Sequence, residues 1–351
     1  MIWLTWRQSR AALAMMSTAL AALAVILGVT GSGVADEYST GIAACATEGG
    51  CSQFVQQFFN GHQAAFLALT AVVLVLPALI GIFWGAPLIA RELEAGTHRL
   101  VWTQSITRTR WLAVKLGLTG LAAMVAAGLG SLAVTWWSGP VDKSAPNFAR
   151  MEPLLFDARG IAPIGYAAFA FALGVTVGML VRRTVPAMAI TLVVFVAVQV
   201  AMPLLVRAHL SPATRSTIEI TKSNLEHIGF PRDGGPTRIL TRAPDSGVFA
   251  GAWVLSSQTI DASGDAVDAI LLPRSGACAP PEGGLVQKVA GARPEFSACL
   301  AEIKRLGYRQ RVSYHPASRF WAFQAYEAAI FTGLALLLTA FSFLWLRRRL
   351  S

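Results

Sequence analysis

A chain of 351 residues that is 54% hydrophobic and only 14% charged, with a mean hydropathy of +0.54, is too poor in charge for an ordinary cytosolic enzyme. Soluble domains carry about a quarter charged residues, and the same deficit excludes a disordered chain and a small secreted disulfide protein. The net charge of +10 would suit nucleic acid only on a soluble surface, and here the charges fall between apolar runs.

Six of those runs are long enough to cross a bilayer, which needs about 20 residues at about 1.5 Å each. In chain order they are Ala11–Thr30, Ala64–Ala90, Trp111–Trp137, Ile161–Val181, Pro186–Val206 and Ala322–Leu346. Pro77 near the middle of the second predicts a kink or tilt. The fourth and fifth meet at a tight charged hairpin, Arg182-Arg183-Thr184-Val185-Pro186. The fold class is therefore an α-helical polytopic membrane protein: six transmembrane helices, with a small α+β extracytoplasmic domain between spans five and six. The expected organisation is 1–206 for spans one to five, 207–321 for the outer domain, and 322–351 for the sixth span and a basic tail.

The loops alternate in charge. The N-terminal segment, loop 91–110 with Lys115, the 182–185 hairpin and the tail hold 12 Lys and Arg against Glu92 and Glu94. Loop 31–63 holds no Lys or Arg and three acids, Asp36, Glu37 and Glu48. By the positive-inside rule both termini are expected in the cytoplasm. The excess charge then meets anionic lipid or a partner's surface, and not nucleic acid. A cleaved signal peptide is the rival reading of the first run, but the run exceeds the usual 7–15-residue apolar core.

Cys45, Cys51, Cys278 and Cys299 all fall on the outer side, an oxidising location in which disulfides are expected. Three connectivities are open, and pairing within each loop is the simplest. The insertion changes to soluble composition, with 14 basic and 10 acidic residues between 207 and 321. Thr214–Thr221, Thr237–Thr241, Trp253–Ile260 and Tyr308–Tyr314 read as strands. Pro294 opens and Gly307 closes a helix that aligns Phe296, Leu300 and Ile303 and carries Cys299. Its histidines are scattered, and no metal site is expected.

No G-x-x-x-x-G-K-[ST], H-E-x-x-H or G-x-S-x-G occurs, so neither nucleotide binding by a P-loop nor hydrolytic chemistry is expected of this chain. Ion-coupled carriers need charge inside the membrane, and the runs hold little: Lys115 near the inner end of the third and Glu327 near the outer end of the sixth. Glu327 has two readings, a functional polar site or, preferred, a headgroup-level carboxylate bonded to a neighbour.

The loop after span two is the most specific stretch: Ala90-Arg91-Glu92-Leu93-Glu94-Ala95-Gly96-Thr97, then Trp102, Thr107-Arg108-Thr109-Arg110 and Lys115. It resembles the R-E-x-E-x-G-T element, turn, T/S-R pair and entering Lys of ABC type-2 transporter permeases, with the same spacing. Six spans, cytoplasmic termini and a large insertion before the last span resemble the drug- and sterol-exporting branch, and the composition resembles actinobacterial members. Trp3–Arg7 resembles a shortened elbow helix at the interface. From the residues themselves, Glu92 and Glu94 followed by Gly96-Thr97 predict a helix that stops and turns, with a short surface helix over 100–105. Trp102 would anchor in a partner's groove, and Arg108 and Arg110 would grip phosphates or carboxylates. Neither acid is needed for orientation, so Glu92→Gln and Glu94→Gln are expected to leave folding intact.

The resemblance implies the permease subunit of an ABC exporter, dimerising with a second copy over a separate ATPase that binds ATP and Mg. Arg91, Glu92, Glu94, Gly96, Thr97, Trp102, Arg108 and Arg110 would be the ATPase-coupling residues. It places the substrate path between spans two and five of the two halves, which points to Phe66, Leu69, Phe83, Phe195 and Gln199. A mostly apolar path suits a lipophilic or amphipathic cargo such as an antibiotic, peptide or lipid. The alternative reading is a non-transporting membrane sensor or immunity protein that binds a ligand through its outer domain.

Overall fold

The computed structural model describes residues 2–47, 51–96, 107–145, 149–229, 235–244, 246–273, 275–279 and 294–349. Two compact units emerge. One comprises Met1–Phe148, Pro153–Leu210 and Trp321–Ser351, and the other Ala149–Glu152 and Ser211–Phe320.

The first unit contains six helices long and apolar enough to span a membrane: Met16–Ala46, Ser52–Glu94, Arg108–Ser144, Ala162–Val181, Thr184–His209 and Ala317–Arg348. Helix is the form such runs must take, because in lipid each backbone polar group needs a partner within its own segment. Five of the six overrun the expected bounds. Hydropathy marks where the bilayer ends, whereas a helix ends at a breaker, and residues 31–63 contain no proline. Most of that expected loop is accordingly helical: one helix runs Ile2–Thr47 and the next begins at Ser52. Cys45 and Cys51 are bonded to each other, with Cα atoms 5.0 Å apart. The expected elbow at 3–7 belongs to the same continuous helix as span one.

Span two does not break at Pro77. It continues to Leu79, widens into a π-helical turn at Ile80–Gly85, and resumes as Ala86–Glu94. Pro77 lacks an N–H and its ring crowds the preceding turn, yet the helix continues through it, and the π turn begins three residues later. The turn brings Gly81 and Gly85 against span four. A Cβ on Gly81 would lie 2.8 Å from the Ala170 carbonyl oxygen, and one on Gly85 2.6 Å from that of Phe171. Reciprocally, a Cβ on Gly174 would meet the Gly81 carbonyl, and one on Gly178 would lie 2.6 Å from that of Ala86. Two small-x-x-x-small faces thus allow backbone-to-backbone approach, the usual means of tight association between membrane helices.

Span four is the hub of this unit. In its most apolar stretch 78% of the residues are buried, against 17–39% in the other five. Around it Ile80, Ile89, Trp111, Leu112, Phe171, Met179 and Leu346 form one core, from spans two, three, four and six. Leu27, Val34, Phe58, Phe66, Val134 and Trp137 form another, from spans one to three. Gly174→Val is expected to lower the thermal midpoint in detergent, since overpacking costs about 1–3 kcal/mol. Gly333→Ala, with nothing within 4 Å of its would-be Cβ, should leave it unchanged. Equal midpoints for the two variants would remove the close-approach argument.

The second unit holds two antiparallel sheets. Strands β1 (Thr214–Glu219), β7 (Arg309–His315), β4 (Trp253–Ile260) and β5 (Ala266–Val267) form one, in the order β1-β7-β4-β5. Strands β2 (Leu225–Gly229), β3 (Thr237–Thr241) and β6 (Ile270–Leu272) form the other, in the order β2-β3-β6. The four expected strands are present within one or two residues. β2, β5 and β6 were not legible because they are short, and Glu226 and His227 break the apolar alternation of β2. Helix Pro294–Arg305 lies where expected and closes at Gly307, whose φ of +81° suits glycine. The side-chain position of Phe296 lies outside the description. Cys278 and Cys299 are bonded, with Cα atoms 4.8 Å apart, inside a core with Ile239, Ile270 and Ile303.

Candidate functional site

Two polar assemblies interrupt the apolar spans. The first lies at the basic end, where the spans carry Arg91, Arg108, Arg110, Arg182, Arg183 and Arg347. The helix of span two stops at Glu94, and Gly96 turns out of it with φ +68°. Glu94 Oε2 accepts from the Thr184 backbone N–H at 3.0 Å and from its hydroxyl at 2.7 Å. A carboxylate there satisfies the orphan donors of the first turn of span five and complements its dipole. Glu92 forms an ion pair with Lys115 of span three. Lys115 is 3% exposed, and its ammonium lies 5.0 Å from the centre of the Trp111 ring. Thr107 then caps span three, its hydroxyl accepting from Arg110 N–H at 3.3 Å. Arg91 and Arg110 are exposed and Arg108 half-buried. Arg108 helps to line a shallow recess of about 300 Å³ with Thr107, Thr109, Leu346 and Arg347. Thr97, Trp102 and the expected surface helix over 100–105 lie outside the described residues.

The second assembly lies at the opposite end. Between spans three and four the chain makes a short helix, Pro153–Asp157, and turns through Gly160 at φ +69°. Gln324 of span six holds this connector. Its Oε1 accepts from the N–H groups of Ile161 at 3.0 Å and Ala162 at 2.7 Å, and its Nε2 donates to the Phe156 carbonyl at 2.9 Å. So fastened, the connector carries two charged side chains into the packed unit. Arg159 reaches Asp142 at 3.4 Å and Thr70 at 3.3 Å, with its guanidinium 5.3 Å from the centre of the Phe66 ring.

Asp157 enters a cluster drawn from spans four, five and six. Arg207 Nε donates to Glu327 Oε2 at 2.7 Å, and Nη2 to Glu327 Oε1 at 2.6 Å. Nη2 also bonds Asp157 Oδ1. The Tyr166 hydroxyl lies 2.6 Å from Glu327 Oε1 and 3.1 Å from Asp157 Oδ1. Gln199 Nε2 lies 3.4 Å from Asp157 Oδ2, and the Arg207 guanidinium stacks 4.2 Å from the Phe156 ring centre. Arg207 and Glu327 have no exposed surface, and Asp157 has 7%. Burial pushes the Asp157 carboxyl up to about 6; Arg207 opposes that shift and Glu327 adds to it.

Sequence reasoning placed Glu327 at headgroup level and Arg207 in the outer insertion. Arg207 lies instead in the packed first unit, beside Glu327 of span six, and Glu327 is bonded to its neighbours as expected. Each sits within about two turns of where its apolar run meets the insertion, so opposite charges flanking one insertion were the available signal. Among the described residues no three His, Cys, Asp or Glu gather as metal ligands would.

The residues expected along a substrate path divide. Phe66 is fully buried and Leu69 partly buried in one apolar cluster. Phe195 is buried, its ring 6.3 Å from that of Phe169. Phe83 is 60% exposed on the π turn. Gln199 alone of the five touches the charge cluster.

Residues 17–207, more than half of the chain, match the family model described as ABC-2 membrane transporter related. The match ends at Arg207, so it covers spans one to five and leaves out the sheet unit and span six. No curated protein and no solved structure matches the chain.

Proposed function

This chain belongs to the ABC-2 membrane transporter related family, and we propose that it is the permease subunit of an ATP-driven exporter in a bacterial plasma membrane. Its basic end faces the cytoplasm, as charge asymmetry across short loops directs. A separate ATPase, carrying ATP and Mg, engages the loop between Arg91 and Arg110.

The observation that carries this reading is the anchorage of that loop. Where it leaves span two, Glu92 binds span three and Glu94 caps span five; where it re-enters, Thr107 caps span three. A displacement of residues 97–106 is therefore delivered to spans three and five together. Span two passes it to span four through the Gly81/Gly85 and Gly174/Gly178 approach. Trp102, Arg108 and Arg110 are the partner-facing groups, and ATP binding shifts the population between two arrangements of the spans.

Two copies form the path. Span five supports this, for it displays Val185, Val193, Val196, Val200, Leu204 and Leu205 on its surface. An apolar face of that kind is covered by lipid or by a second copy. Phe83 and Gln199 are the path residues best placed to meet cargo, which is lipophilic or amphipathic.

Native mass spectrometry of the complex purified from its host, with ATP hydrolysis measured on the same material, tests the proposal. The expected result is two copies of this chain with two ABC ATPase subunits, hydrolysis in the complex, and none in the chain alone. A chain that purifies without an ATPase and whose loss leaves export unchanged would overturn it and favour the sensor or immunity reading.

A further inference from the structure

The buried cluster at the end opposite the basic loop has one positive group and two carboxyls. Arg207 is the cation and Glu327 and Asp157 are the acids. The neighbouring charges do not help, because Arg159 on the connector and Asp142 on span three bond to each other. Tyr166 from span four and Gln199 from span five are neutral. With both acids ionised, one net negative charge would be buried among these groups. Such sites neutralise by taking up a proton.

The hydrogen bonds indicate which acid takes it. Glu327 receives both Arg207 Nε and Nη2, and the Tyr166 hydroxyl at 2.6 Å. It is fully served as an anion. Asp157 has one N–H of the same Nη2 where Glu327 has two from the guanidinium, a longer approach to the same hydroxyl at 3.1 Å, and Gln199 Nε2 at 3.4 Å. One hydroxyl hydrogen cannot serve both carboxylates at once. Gln199 Oε1 has no hydrogen-bond partner among the described residues. A half-turn of that amide would set an acceptor opposite Asp157 Oδ2, where a carboxylic acid has a proton to donate.

We propose that Asp157 is a proton-binding site, holding an exchangeable proton that lets two carboxyl groups share the Arg207 guanidinium between spans four, five and six. Loss of the proton restores the buried negative charge and pushes the connector carrying Asp157 away from Glu327. The upward shift of the Asp157 carboxyl to about 6 agrees with this. The native state then binds the proton more tightly than the unfolded chain does, whose carboxyl titrates near 3.9. The added stability is complete below about pH 4 and is lost as pH rises through about 6.

The test is infrared titration of the full-length chain in lipid nanodiscs, following the C=O stretch of protonated carboxyl groups, with thermal midpoints measured across the same pH range. The parental chain should show a carboxylic-acid band that disappears with a midpoint within about one unit of pH 6, and a thermal midpoint that falls over the same range. Asp157→Asn, a neutral isostere of the protonated acid, should lack the component of the band that titrates near pH 6 and lose the fall in thermal midpoint that accompanies it. Glu327→Gln leaves Arg207 to Asp157 alone, so the band should persist only at markedly lower pH. An unchanged band in Asp157→Asn, or no titrating band in the parental chain, would overturn the assignment. Should Asp157→Asn fail to fold, carboxyl-13C labelling of aspartate in the parental chain decides: the band near pH 6 should move with the label, and a band that does not move, or an unmoved midpoint in Glu327→Gln, overturns the assignment.

Discussion

Arg207→Met is expected to be among the most destabilising single substitutions in this protein. Removing one partner of a buried ion pair costs about 3–5 kcal/mol, because the other partner is left buried without compensation. Here two carboxyls are left, since Arg207 has no exposed surface and reaches both Asp157 and Glu327. Methionine fills much of the volume and keeps contact with the Phe156 ring, so the loss measures charge more than packing. Acid should relieve the defect. Arg207 opposes the upward shift of the Asp157 carboxyl, so its removal raises that carboxyl further and lets protonation neutralise it at higher pH. The deficit in thermal midpoint relative to the parental chain should thus be larger at pH 8 than at pH 5. Adding Glu327→Gln to Arg207→Met removes a stranded charge and should recover a substantial part of the loss, giving a double-mutant coupling of about 1–3 kcal/mol. Additive losses, or a deficit indifferent to pH, would mean that the cluster is not electrostatically closed.

That cluster marks the limit of what the sequence makes legible. Spans are readable because a bilayer imposes a length and an apolar composition on consecutive residues, and all six lie where the runs predict. Strands Thr237–Thr241 and Trp253–Ile260 and the helix from Pro294 are readable because alternation, Pro and Gly are local signals. Asp157, Arg207 and Glu327 are 50 and 120 residues apart along the chain, and no local pattern joins them. Each alone reads as a loop or interface charge, and only the packing of spans five and six against span four turns them into one site. The Gly81/Gly85 and Gly174/Gly178 faces differ. Their i, i+4 spacing is visible in the sequence, yet nothing in either run says which helix it meets. The π turn after Pro77 was equally unreadable, because proline announces a disturbance without specifying whether the helix bends or widens.

At the basic end the structure alters an expectation drawn from topology. Since the positive-inside rule gives acids no part in orientation, both glutamates seemed dispensable for folding. Glu92, however, is the counter-ion of Lys115, which is 3% exposed. Glu92→Gln keeps the shape and strands that ammonium, an expected loss of about 3 kcal/mol, visible as a lower thermal midpoint and less protein in the membrane. Among the described residues Glu94 serves as an exposed cap on Thr184, where loss of a cap costs about 0.5–2 kcal/mol, and glutamine retains an acceptor. Glu94→Gln should therefore fold normally. If the proposed function holds, its effect should appear in the coupling of ATP hydrolysis to transport, because the link between span two and span five is loosened while each span stays intact. Lys115→Met combined with Glu92→Gln removes the charge that the single variant strands, and should restore most of the thermal midpoint. If the double variant proves no more stable than Glu92→Gln alone, the pair carries no folding energy. The failure of the single variant would then have to lie in the loop's contact with its partner.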